Sequence, residues 1–168
     1  MGCCLALLLG SCQLASFSSR PGVIVNEYPK ALHGTFRAIE KHDGVRDTHD
    51  IVINEKGAKM DDAMMNKIID LSDTNTSLSH LGDFYYLNVR ETDSAGHAFW
   101  YVYPFEFDEK HLYIYTLTLG KTQKKMRKYL ESSGKKNGNY TMDNEAFKRY
   151  CEKHLKRKKA LKLTRIKS

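Results

Sequence analysis

The stretch from Asp83 to Leu119, DFYYLNVRETDSAGHAFWYVYPFEFDEKHLYIYTLTL, constrains this chain more than any other. Tyr85, Leu87 and Val89 alternate with Tyr86, Asn88 and Arg90, a period of two that puts the first set on one face of a strand. Asp93, Ser94, Ala95 and Gly96 form a turn in which Gly96 can take positive φ. In the next run, His97 to Phe107, the residues Phe99, Tyr101, Tyr103, Phe105 and Phe107 share one face. Trp100 and Val102 make part of the other face apolar, so this strand is expected to be covered on both sides. Pro104 has no N–H to give and implies an edge, a bulge or a strand end. Asp108, Glu109 and Lys110 turn the chain again, and His111 to Leu119 is rich in residue types that suit a pleated surface. The reading is three antiparallel strands that the rest of the chain must cover. Their aromatics serve as core or line a small cavity for an apolar, lipid-like ligand.

Upstream, residues 32–41 (LHGTFRAIEK) and 47–54 (DTHDIVIN) read as strands, separated by the Asp43-Gly44 turn. Glu55, Lys56 and Gly57 turn the chain again. Residues 61–71 fit a short helix, with Met64, Met65, Ile68, Ile69 and Leu71 as its stripe and Asp61 as its cap, although the Ile68-Ile69 pair also suits a strand. Residues 72–82 read as a polar loop. Downstream, residues 122–132 are expected to be a helix, with Thr122 as N-cap and Met126, Tyr129 and Leu130 as the apolar stripe. Residues 133–139 form a basic loop. Asp143 caps a stronger helix in which Phe147, Tyr150, Cys151, His154 and Leu155 recur at i, i+3, i+4, i+7 and i+8. Residues 161–166 (LKLTRI) alternate and read as a closing strand. The expected class is α+β: a mostly antiparallel sheet, lipocalin-like barrel or sandwich, with two C-terminal helices and a closing strand.

Charge is unevenly placed in the 168 residues. From Lys121 onward there are 17 Lys/Arg against 4 Asp/Glu, or +13, within a net charge of +7, which leaves −6 for residues 1–120. A basic third on a mildly acidic body draws anionic partners. The cluster Lys148, Arg149, Lys153, Lys156, Arg157, Lys158 and Lys159 reads as a solvated helix face or as a set of contacts with an anionic surface. Nucleic acid is disfavoured, because aromatics are not interleaved with these residues as a single-strand platform requires.

Motifs for catalysis or metal binding are missing from the sequence. The seven histidines have no helical zinc spacing. His97 and His111 could be neighbours across strands, but exposed strand ends explain them better. Gly120-Lys121-Thr122 ends like a phosphate loop, yet Tyr115 stands where the earlier glycine belongs. No serine lies in a nucleophile elbow, and Asp61-Asp62 fits a helix N-terminus. The expectation is a non-enzymatic chain with no catalytic residue, no cofactor and no metal. Cys151 lies on the apolar face of a helix and reads as a small buried hydrophobe.

The other three cysteines, Cys3, Cys4 and Cys12, lie in the opening stretch MGCCLALLLGSCQLA. The apolar run is too short to span a bilayer and matches the core of a secretory signal. Leu9-Gly10-Ser11-Cys12 resembles a bacterial lipobox, which implies a lipid on Cys12 and removal of residues 1–11. Residues 12–28 then read as the lipidated cysteine and a flexible tether, and residues 29–168 as one domain. Gly2, Cys3 and Cys4 offer a rival reading, a dually acylated intracellular module, although Ala6 departs from that motif. The pieces LHGTFRAI, LSHLGDFYYLNVRE, WYVY, KKMRKYL, FKRYCEKHL and ALKLTRI together resemble the small uncharacterised lipoproteins of the Bacteroidota. The resemblance implies a protein held at the outer membrane by its N-terminal lipid, with an apolar ligand or an anionic envelope component as partner. Gln13-Leu14-Ala15-Ser16 lacks the acidic residues of that group's surface-exposed members, so the resemblance implies a periplasm-facing position. It also implies O-glycosylation at Ser94 within Asp93-Ser94-Ala95.

Overall fold

A computed structural model describes residues 14–42, 45–61, 68–118, 121–131 and 139–167. The signal segment, Cys12, the Asp43-Gly44 turn and all but one residue of the 133–139 loop lie outside them. The class is α+β, a mostly antiparallel sheet curled into a half-barrel. In chain order the strands are β1 (Ser16–Phe17), β2 (Val23–Val25), β3 (Gly34–His42), β4 (Val45–Ile53), β5 (Gly57–Asp61), β6 (Ile68–Asp70), β7 (Thr76–Leu81), β8 (Phe84–Thr92), β9 (Ala98–Phe107), β10 (His111–Ile114), β11 (Asn139–Tyr140) and β12 (Leu161–Lys167). Helix α1 is Lys121–Met126 and α2 is Asn144–His154. The main path runs β2-β7-β8-β9-β10-β12-β3-β4-β5-β6, with β1 joined to β9 and β11.

The two-residue period of β8 and β9 sorts their side chains into two cores. Leu87, Tyr103 and Phe105 join Leu32, Phe36, Ala38, Ile53, Leu78, Leu112 and Leu163 in one buried cluster. Strands from β3 to β12 feed it, which requires the sheet to curl round it. On the opposite face Phe84, Tyr86 and Val102 pack with Phe17, Met126, Phe147, Tyr150 and Cys151 under the helices. β9 is therefore covered on both sides, as its Trp100 and Val102 imply. Pro104 sits opposite Tyr86 without a bulge. It lies where the neighbour on the other edge changes, from β1 at Trp100 and Tyr101 to β10 at Phe105. A missing N–H costs nothing in that gap, and the Pro104 carbonyl accepts from the Tyr115 N–H at 2.8 Å.

The closing strand is central. β12 pairs with β10 on one side and with β3 on the other, so it joins β3–β6 to the rest of the sheet. Leu163 is fully buried in the seam. Arg165 lies 4.5 Å over the Phe36 ring and donates to the carbonyls of Ala31, His33 and Glu109.

Several expectations are corrected. Residues 68–70 form strand β6, not a helix; their main chain pairs with β5, and residues 62–67 lie outside the described set. Residues 76–81, expected in a loop, form β7. Leu78 is its inward residue, while Ser77 and Ser79 are buried on the other face. The Asn88 amide donates to the Ser77 carbonyl, the Ser79 hydroxyl and the Tyr86 carbonyl. A strand whose outer face is buried by hydrogen bonding shows no apolar alternation. β10 ends at Ile114, and among the described residues beyond it in the expected strand Thr118 bridges to Leu14. α1 begins at Lys121, so Thr122 lies inside it rather than capping it.

The largest correction concerns residues 13–28. From Leu14 onward this stretch is built into the fold, not tethered outside it. Ala15 N–H donates to the Leu117 carbonyl at 2.7 Å. Ser16 and Phe17 pair with β9 on one side and β11 on the other. Phe17 is fully buried, 5.3 Å from the Phe147 ring and 5.8 Å from Tyr140. Gly22 has φ 68 and donates to Asn144 Oδ1 at 3.0 Å; a Cβ there would collide with the His80 carbonyl. β2 then pairs with β7.

Candidate anionic-surface site

The positions of the basic residues follow from how α2 is held. Asp143 is its N-cap, as expected, and its carboxylate accepts from the Ala146 N–H at 2.9 Å. Ala146, Phe147, Tyr150 and Cys151 are buried, with Phe147 5.6 Å from Tyr86. That seating turns Arg149 and Lys153 to solvent. Burial pushes the Cys151 thiol up to about 12, so it is an inert hydrophobe at neutral pH, as its position in the stripe implies.

α1 approaches the last turn of α2. Met126 and Leu130 are buried, which leaves Lys124, Lys125 and Lys128 exposed. Tyr129 lies edge-on to Tyr150 at 5.8 Å and to His154 at 5.6 Å, and Tyr150 lies 5.3 Å from His154. The three rings pack together between the two basic segments. Partial burial lowers the His154 pKa, and the charges of Lys125, Lys153, Lys156 and Lys128 lower it further. Two lysines from the α1 segment and two from around the end of α2 thus act on the same imidazole. The carbonyl end of α2 offsets part of that positive field. Such a concentration of cations attracts phosphate, carboxylate or sulfate groups with a strength that falls with salt.

The seven expected contact residues divide. Arg149, Lys153, Lys158 and Lys159 are exposed. Lys156 Nζ donates to the Glu152 carbonyl at 3.2 Å and stays at the rim. Lys148 lies along α2, 4.0 Å from Glu152, with its stem against Gly82. Arg157 is engaged within the domain instead. Its guanidinium lies 4.6 Å over the Tyr113 ring and binds Glu106 at 2.9 Å and Asp108 at 3.3 Å. Burial opposes ionisation of Glu106, but hydrogen bonds from Arg157 and Tyr115 outweigh it, and its pKa is lowered. Asp108 is likewise lowered: the N–H groups of Lys110 and His111 overcome its burial.

Sequence reading missed the α1 contribution. Lys121, Lys124, Lys125 and Lys128 have i, i+3, i+4, i+7 spacing, which could have flagged one cationic helix face. Nothing local could have flagged the capture of Arg157, since Glu106 is 51 residues away. Ser94 is exposed in the β8–β9 turn, where the Asp93 carboxylate accepts from the N–H groups of Ala95 and His97. His97 and His111 stand at opposite ends of β9, each beside an aspartate, Asp93 and Asp108. Among the described residues no three His, Cys, Asp or Glu side chains are grouped to hold a metal, and no helix is long and apolar enough to cross a membrane. Comparison with protein-family models, with curated proteins and with solved structures gives no match.

Proposed function

We propose that this chain is a lipid-anchored lipoprotein of the cell envelope, held through Cys12 at the outer membrane and facing the periplasm. Its domain binds an anionic partner at the face formed by the α1 segment and the end of α2. The observation that carries the binding role is the packing of Tyr129 against His154 at 5.6 Å, which brings the exposed Lys124, Lys125 and Lys128 beside the exposed Lys153 and Lys156. The anchor rests on Leu9-Gly10-Ser11-Cys12. A lipocalin-like origin for the half-barrel belongs to the same reading, but an apolar ligand inside it has less support. Leu32, Phe36, Leu78 and Leu163 are fully buried there and already pack the inner face.

Mass spectrometry of the mature protein tests the anchor: a diacylglyceryl cysteine derived from Cys12 is expected. A mature chain that begins at Met1 or Gly2 refutes it, and an acylated Gly2 transfers the domain to the intracellular reading. Retention on a heparin column tests the face. Salt should elute the wild type later than K125E/K128E/K153E, and equal elution refutes the assignment.

A further inference from the structure

We infer that the basic face docks on the headgroups of the same anionic leaflet that holds the lipid on Cys12, so that one bilayer takes both contacts. The inference rests on the anchored reading above and names its partner. The argument begins with the strand directions. Leu14 and Thr118 are bridged antiparallel. At that bridge the N-terminal direction of the main chain at Leu14 coincides with the C-terminal direction at Thr118. Cys12 is two residues before Leu14, a reach of at most about 7 Å, and Lys121 is three residues after Thr118, at most about 11 Å.

A long tether would let the domain sample every orientation. Here the leash is two residues, because Ala15 is hydrogen-bonded to Leu117 and Phe17 is buried between Tyr140 and Phe147. A lipid on so short a leash brings the α1 end of the domain against the headgroups. The surface it meets carries exposed Lys124, Lys125 and Lys128, and Tyr129, 5.6 Å from His154, joins it to the exposed Lys153 and Lys156. Glu106 and Asp108 are already paired with Arg157, and Glu152, within the basic run, lies 4.0 Å from Lys148. Each lysine near an anionic leaflet strengthens attachment about fivefold, and lipid plus basic patch make a two-signal anchor.

Two measurements test this. In the first, the mature chain without its lipid, residues 12–168 carrying C12S, is sedimented with phosphatidylcholine vesicles and with vesicles containing one quarter phosphatidylglycerol. Binding is expected only to the anionic vesicles. It should fall at least tenfold in C12S/K124E/K125E/K128E, whose fold is checked by circular dichroism. Equal binding to both vesicles, an unchanged variant, or binding to heparin without binding to anionic vesicles overturns the inference. In the second, the acylated protein in anionic proteoliposomes is treated with an amine-acetylating reagent. Lys124, Lys125 and Lys128 should react several-fold more slowly than Lys56 in the β4–β5 turn, and uniform reactivity overturns the inference. The two readings fail separately. A mature N-terminus at Met1 together with salt-sensitive vesicle binding by C12S breaks the anchor and leaves the face. An acylated Cys12 with uniform lysine reactivity leaves the anchor and breaks the docking.

Discussion

Replacing Phe17 by alanine separates a built-in N-terminal segment from a loose one. Phe17 is fully buried on a two-residue strand, edge-on to Phe147 at 5.3 Å and tilted against Tyr140 at 5.8 Å. Removing a buried phenylalanine ring costs about 3–5 kcal/mol, the lost transfer energy plus the cavity left behind. Aromatic pairing contributes about 0.5–1.5 kcal/mol per pair within that figure. β1 is pinned on both edges, by β9 and by β11, so the site has little room to collapse and the upper half of the range applies. For a chain of this size each kcal/mol lowers Tm by about 2–4 °C. Urea unfolding followed by Trp100 fluorescence measures the change directly. V23A, at a position 74% exposed in the same stretch, is the matched control and should change stability by less than about 0.5 kcal/mol. A cycle with F147L should show coupling between the two rings. If F17A stays within about 1 kcal/mol of wild type, residues 14–28 are not part of the folded unit, and the short leash between Cys12 and the domain is lost with them.

Three further outcomes follow from the same geometry. G22A should destabilise by more than about 1 kcal/mol, because its φ is 68 and the new methyl group meets the His80 carbonyl; a neutral effect in urea unfolding contradicts the packed path of this segment. The lowered carboxylate pKa values of Glu106 and Asp108 add stability that is present above their ordinary values of 4.5 and 3.8 and is lost as pH falls through the folded values. R157A should therefore show a smaller loss of stability on acidification below pH 4.5, and identical acid limbs in pH-dependent unfolding would refute the pairing. His154 should titrate below 6.5 by NMR, and K125Q/K128Q should raise its pKa; no movement would show that the lysines do not converge on it.

Much of this architecture could be read from residue order, where burial and alternation coincide. Phe99 to Phe107 alternate so regularly that strand, faces and double coverage all followed. Asp143 with Phe147, Tyr150 and Cys151 marked α2, and Leu161 with Leu163 marked β12. Reading failed where polar residues carry buried structure. Ser77 and Ser79 look like loop residues, but both are buried and Ser79 is hydrogen-bonded by the Asn88 side chain. Ser16-Phe17-Ser18-Ser19 looks like a tether, yet Ser16 and Ser18 use their main chain in pairing and Phe17 alone supplies the apolar signal. For the basic site, composition located the charge in the C-terminal third. It could not show that Arg157 turns back to Glu106 while the α1 lysines turn out.

The position of β12 also bears on how the chain acquires its shape during synthesis. Thr164 pairs with Arg37, and both β3 and β10 await this last strand for a neighbour. Until β12 is in place, two stretches of unsatisfied main chain stand open to any passing polypeptide. A product truncated before Leu161 would thus be a natural client for chaperones, and loss of β12 should yield inclusion bodies rather than a slightly weakened protein.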